Sequence, residues 1–186
     1  MSPHDDGVPE PSGPTPSTPT VHLVRLTPDA LSALLDGDLD RARAAAGVVV
    51  TEYFTSPSMH WLWQFRLEQM ATDPRSTPWL VRAAVDSATG VVVGHAGFHG
   101  PPDANGMVEV GYSVDPRHRR RGYARAMLRA LIEEVVPEPT VTTVRASISP
   151  RNTASLATIA GFGFMQVGEQ WDERDGLELV FERPVR

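Results

Sequence analysis

The chain has 186 residues, 41% of them hydrophobic and 22% charged, which is the make-up of one ordinary globular domain. It contains no cysteine, so disulfides, thiolate metal sites and cysteine nucleophiles are excluded. The net charge of -6 argues against a general nucleic-acid binder, and no window approaches the roughly 18 apolar residues of a membrane span. There is also no lysine, so all 17 basic residues are arginine. With so much Ala, Gly and Pro, that reads as a coding bias and not as a functional signal.

Residues 1–20 are rich in Pro, Ser, Thr and Gly and cannot bury enough apolar surface to offset their ordering entropy. They are expected to form a disordered tail outside a single domain over 21–186. They carry no basic stretch followed by an apolar core, so a secretory signal is not expected and a cytoplasmic location is.

Val21 to Leu26 alternates as a strand does. Thr27 is a good helix N-cap and Pro28 suits the first helical position, with the helix running through Leu35. Asp38 to Ala46 forms a second short helix. Ser56 to Met70 is helical by periodicity, with Pro57 just inside its start. Trp79 to Val85 and Val91 to Phe98 form a hairpin around the Asp86–Gly90 turn. A Pro/Gly/Asn-rich loop leads to a third meander strand, Met107 to Val114. A helix follows from Tyr123, with Met127, Leu128, Leu131, Ile132 and Val135 at the helical period, until Pro137 stops it. Thr140 to Ile148 is a strand and Thr153 to Ala160 a helix. Phe164 to Trp171 and Leu177 to Phe181 close the chain as a hairpin through Asp175-Gly176. The order predicts a mixed, largely antiparallel α/β (α+β) sheet. Regular β-α alternation fails between Trp79 and Val114, which excludes a doubly wound Rossmann sheet.

The most informative stretch is Val108 to Ala124. An apolar strand ends in Gly111-Tyr112-Ser113-Val114-Asp115-Pro116. A basic loop, Arg117-His118-Arg119-Arg120-Arg121-Gly122, then opens a helix. Such a loop offers backbone N–H groups and the positive end of a helix dipole to a phosphate. Gly122 lets the backbone approach without a Cβ in the way. Two other readings of the arginine run are a solvated helix start and a nucleic-acid patch. The patch predicts salt-sensitive association with DNA.

Arg119-x-x-Gly122-x-Ala124 after this strand resembles the acetyl-CoA signature of the GNAT N-acetyltransferases, Gln/Arg-x-x-Gly-x-Gly/Ala. A second match lies downstream. Asn152-x-x-Ser155 is followed by Gly163-Phe164 eleven residues after the Asn, like the family's Asn-x-x-Ser/Ala…Gly-Phe. The spacing is closest to the subgroup that acetylates ribosomal-protein N-terminal alanines and its small-molecule relatives. The resemblance covers Val21 to the C-terminus. It implies a GNAT fold, with a mixed, mostly antiparallel central sheet of six to seven strands flanked by helices. It further implies acetyl-CoA as co-substrate and a primary-amine acceptor, on a small molecule or a protein N-terminus, attacking the thioester directly. No metal, membrane or nucleic-acid partner is expected, and the protein is expected to be a monomer or homodimer.

The family's roles carry over onto the matching residues. Arg119, Arg120, Arg121, Gly122, Tyr123 and Ala124 would grip the coenzyme A phosphates. Val114 would pair its backbone with the pantetheine arm as an added strand does, and Asn152 would contact the same arm, or only cap the following helix. A primary amine has a reference pKa near 10.4, so a base must take its proton, often through water. Glu109, on the strand face opposite Val108, Val110 and Tyr112, is the candidate base; the bland reading is a solvent-facing or Arg-paired carboxylate. Many relatives place a Tyr seven residues after the Asn to serve the leaving thiolate. Here that position is Ile159, so Ser155 is the candidate donor. The same departure keeps open a non-catalytic acyl-CoA-binding or sensor module. His95 and His99, four apart in a strand, share a face; no third metal ligand is evident, and His99 suits the acceptor pocket. His60, Trp61, Trp63 and Phe65 read as core first, acceptor wall second.

Overall fold

The structure is a computed structural model that describes residues 18–186; the tail expectation for 1–17 lies outside the described residues. Seven strands form one mixed sheet in the order β1-β2-β3-β4-β5-β7-β6. They are β1 (Val21–Arg25), β2 (Arg82–Asp86), β3 (Val92–Phe98), β4 (Met107–Val114), β5 (Thr143–Ile148), β6 (Met165–Asp172) and β7 (Gly176–Pro184). The helices are α1 (Pro28–Leu35), α2 (Leu39–Ala46), α3 (Pro57–Thr72), α4 (Tyr123–Val135) and α5 (Thr153–Ile159). Only β4 and β5 pair in parallel.

Thr27 caps α1 through Ala30 N, and Asp38 caps α2 through Arg41 N, as their residue types dictate. Helices α1 to α3 bury Leu31, Leu34, Trp63 and Met70 against one face of the sheet. Helix α4 buries Met127, Leu128, Leu131 and Val135 against the other, with α5 beside it. Ala83 and Val85 belong to the first core and Ala84 to the second, because successive side chains point to opposite faces. With helices on both faces, β2 and β3 are buried at every position, including the polar Arg82, Asp86 and His95.

Several boundaries differ from the sequence expectation for physical reasons. The strand expected from Trp79 begins at Arg82. The buried Arg82 guanidinium donates to the carbonyls of Pro78, Trp79 and Leu80 and pairs with Glu134 at 2.5 Å, so side-chain donors replace part of the ladder there. The strand expected from Thr140 begins at Thr143, after Thr142 N has been drawn to Gly106 O at 2.8 Å. The last strand extends past Phe181 to Pro184 because β5 continues to pair with it through Arg183 and Pro184. At the other end, Thr20 O accepts from Ser87 N at 3.0 Å, so chain docking starts just ahead of Val21.

Candidate active site

The parting of two strands makes the site. β4 and β5 pair only through Met107–Thr143, Val108–Val144 and Glu109–Arg145. Beyond that register β4 stays with β3 and β5 with β7. The gap opens into a cavity of about 800 Å³, lined by both strands, by α3, by the start of α5 and by the β6–β7 hairpin.

At one end of the gap, β4 runs into the basic loop. Asp115 is buried and holds the turn, accepting from Arg117 N at 3.0 Å and Thr51 Oγ1 at 3.0 Å. The loop then takes left-handed conformations at Arg120 (φ 62) and Gly122 (φ 85). A positive φ at arginine is uncommon. Alternating the hand this way turns successive N–H groups toward one concavity, as a nest requires. No side chain caps α4, so the first-turn amides at Tyr123 and Ala124 keep their donors for a guest. Arg120 and Arg121 are exposed, while Arg119 Nε donates to Val114 O at 3.3 Å. The Tyr123 phenol is turned away and donates to Asp86 at 2.7 Å, leaving only its backbone on the nest side.

At the other end lies Glu109, whose side chain is 19% exposed. Its carboxylate is 3.7 Å from His99 Nδ1, too far for a hydrogen bond. Desolvation, opposed in part by Glu109, holds His99 below its ordinary value. Gly111 lies between them on the same face, and a Cβ there would stand 3.0 Å from His99 Nε2.

Sequence reasoning grouped Trp61, Trp63 and Phe65, and the structure separates them. Trp63 is core, donating its Nε1 proton to Phe54 O at 2.6 Å. Trp61 and Phe65 are half-exposed and line the cavity, while His60 is exposed outside it. A helix of 100° per residue cannot send positions 61, 63 and 65 the same way. His95 and His99 both line the cavity, as their shared face predicts. His99 is half-exposed, whereas His95 is buried among Tyr53, Phe54 and Trp63. Desolvation, with Arg66 nearby, pushes His95 down to about 4. Between pH 6.5 and 4 the unfolded chain therefore binds the extra proton, and stability falls with pH across that window by up to about 3 kcal/mol. His95→Leu should flatten this acid limb in thermal melts between pH 7 and 4; an unchanged limb would put the titration elsewhere.

Asn152 accepts from Ser155 N at 3.1 Å and so caps α5. Both residues line the cavity. Ile159 is buried in the second core and presents nothing to the gap. Several lining residues escaped the sequence reading. Arg66 is buried with its guanidinium lowered to about 10 by desolvation, and it donates to His99 O at 3.3 Å. The hairpin contributes Gln170, Asp172, Arg174, Asp175 and Glu178. Nothing in a hairpin's own pattern says which loop it faces, so these had no local signal.

The region from 21 to 165 matches the model of the acetyltransferase (GNAT) domain. The chain belongs to the GNAT acetyltransferase family. An uncharacterized N-acetyltransferase, YjdG of Bacillus subtilis, is 36% identical over 74 residues, 40% of this chain and 44% of that protein. A mycothiol acetyltransferase of Clavibacter sepedonicus is 33% identical over 129 residues, 69% of this chain and 36% of that one. The chain thus spans less than half the length of these curated relatives. Among solved structures, a ribosomal-protein-S5-alanine acetyltransferase from Vibrio fischeri superposes with a TM-score of 0.58 at 17% identity, covering 90% of this chain and 93% of that one. A phosphinothricin acetyltransferase from Sinorhizobium meliloti, solved with AcCoA, gives 0.57 at 19%, covering 89% and 88%. These likenesses support the GNAT fold: seven strands, one parallel pair that parts, and a loop-to-helix nest at its end. No helix among the described residues is long and apolar enough to cross a membrane.

Proposed function

We propose that this protein is an acetyl-CoA-dependent N-acetyltransferase whose acceptor is a primary amine carrying additional positive charge. The observation that carries the reading is the alignment of one strand with two chemistries. β4 ends at Val114, one short turn ahead of the nest at Arg119–Ala124, and Glu109 sits five residues back from Val114 on the same strand. At about 3.4 Å per residue that is roughly 17 Å, a span suited to a pantetheine arm laid along Val114 with its phosphates in the nest. Asn152 flanks the arm from α5. The thioester then lies beside Glu109, which takes the ammonium proton directly or through water. The free amine attacks the carbonyl carbon, the C–S bond breaks with its electron pair on sulfur, and the new amide nitrogen gives its second proton to water. Ser155 donates a hydrogen bond to that sulfur. No covalent enzyme intermediate is needed.

Charge on the cavity wall supports the acceptor class. Glu109, Asp172, Asp175 and Glu178 contribute carboxylates, against Arg66 and Arg174. Arg66 is occupied with Gln69 and the His99 carbonyl, and Arg174 stacks over Trp61 at 3.3 Å. Glu178 is held above its ordinary value, chiefly by desolvation, with neighbouring carboxylates adding to the effect. A cation relieves that crowding. A thiol-release screen with acetyl-CoA over neutral-bodied, cationic and anionic amines tests this. Cationic amines should give kcat/KM at least tenfold above neutral-bodied amines of similar size and still more above anionic ones. Tight acetyl-CoA binding with no amine acetylated would instead mark a non-catalytic acyl-CoA module.

A further inference from the structure

Ile159 leaves this chain without the phenol that many GNAT relatives place on α5, yet another phenol packs in the same core as Ile159. Tyr112 lies on β4 and packs with the second core. Its hydroxyl is enclosed and has no hydrogen-bond partner, and the residue lines the cavity. Leaving a buried hydroxyl unpaired costs about 1–3 kcal/mol, so a partner at some stage of turnover is the physical expectation. The polar groups beside it are the Ser155 and Thr158 hydroxyls. Thr158 donates its proton to Ala154 O at 2.9 Å, so it offers the phenol lone pairs but has no proton left to aim at the gap. Ser155 has only its amide tied down, by Asn152, and its hydroxyl is left to the cavity.

We infer that the Tyr112 hydroxyl is a positioning residue for the leaving thiolate, donating to Ser155 Oγ so that the one Ser155 hydroxyl proton must point at the thioester sulfur. A serine hydroxyl has one proton and two lone pairs. Alone, it rotates among the acceptors around it. With Tyr112 donating into one lone pair, its proton turns away from the phenol toward the gap. Burial raises the Tyr112 phenol above its ordinary value, so it keeps its proton at neutral pH and always donates. No proton leaves Tyr112. As the C–S bond breaks, the sulfur takes the electron pair and is held by the Ser155 hydrogen bond until water protonates it, its reference pKa being about 8.5. A donor aimed where charge develops contributes to turnover and not to ground-state binding.

This inference rests on the transferase reading above, and one set of assays separates the two. Wild type, Tyr112→Phe, Ser155→Ala, the double variant and Thr158→Val are compared by steady-state kinetics with a cationic amine. Tyr112→Phe should lower kcat about tenfold with KM for acetyl-CoA within twofold. In the Ser155→Ala background the same change should cost less than twofold, because there is no hydroxyl left to aim. Thr158→Val should stay within twofold of wild type. An equal Tyr112→Phe loss with and without Ser155, or a loss confined to KM, overturns the inference while the transferase reading stands. Acetyl-CoA binding without any acetyl transfer by wild type sinks both. Thermal melts guard against misfolding, and Tyr112→Phe removes one oxygen only.

Discussion

Glu109→Gln should lower kcat about a hundredfold at neutral pH, the usual scale of losing a positioned base, and leave KM for acetyl-CoA unchanged. At pH 7.4 only about one amine in a thousand is neutral at a reference pKa of 10.4, so wild type depends on Glu109 to remove the proton. Glutamine keeps the shape and the cavity but accepts no proton. The deficit should shrink as pH rises toward 10, because solution then supplies the free amine. A Glu109→Gln variant within threefold of wild type at neutral pH would remove the base assignment. The cavity, the nest and the family membership would be untouched by that result.

The second large effect is expected at the other end of the strand. Gly122→Val should weaken acetyl-CoA binding about thirtyfold, about 2 kcal/mol, as read by calorimetric titration. Gly122 holds φ at 85°, where a side chain is strained, and its Cβ would meet the Pro19 ring at 3.3 Å. Relaxing that strain closes the nest. Gly47→Val is the matched control. Gly47 also sits at a positive φ of 69°, at the end of α2 with open space around it. It should lose stability without losing acetyl-CoA affinity. Equal affinity losses at both positions would mean general destabilisation, and an unchanged affinity at Gly122→Val would put the phosphates elsewhere.

Much of this was legible before any coordinates. The helices α1, α2, α3 and α4 stand where caps, prolines and apolar periods put them. Those signals are local: Thr27 reaches Ala30 and Asp38 reaches Arg41, each within one turn. The family motif was equally local, since Arg119 to Ala124 must build its nest from consecutive residues. The Trp61, Trp63 and Phe65 cluster was less legible, because composition names aromatic residues but only helix phase tells wall from core.

What the sequence determined by itself is therefore the set of elements, the basic loop that opens α4 and the presence of a carboxylate on the strand before it. Only the tertiary structure decided what faces that carboxylate. The β6–β7 hairpin brings Asp172 and Glu178 to Glu109 across some sixty residues of chain, β3 brings His99, and β4 carries the Tyr112 hydroxyl under α5 beside Ser155. The parting of β4 from β5 after Glu109 and Arg145 is of the same kind. A strand's own residues encode its alternation, but which neighbour it leaves, and where, is set by the packing of layers on both faces, which no window of sequence contains.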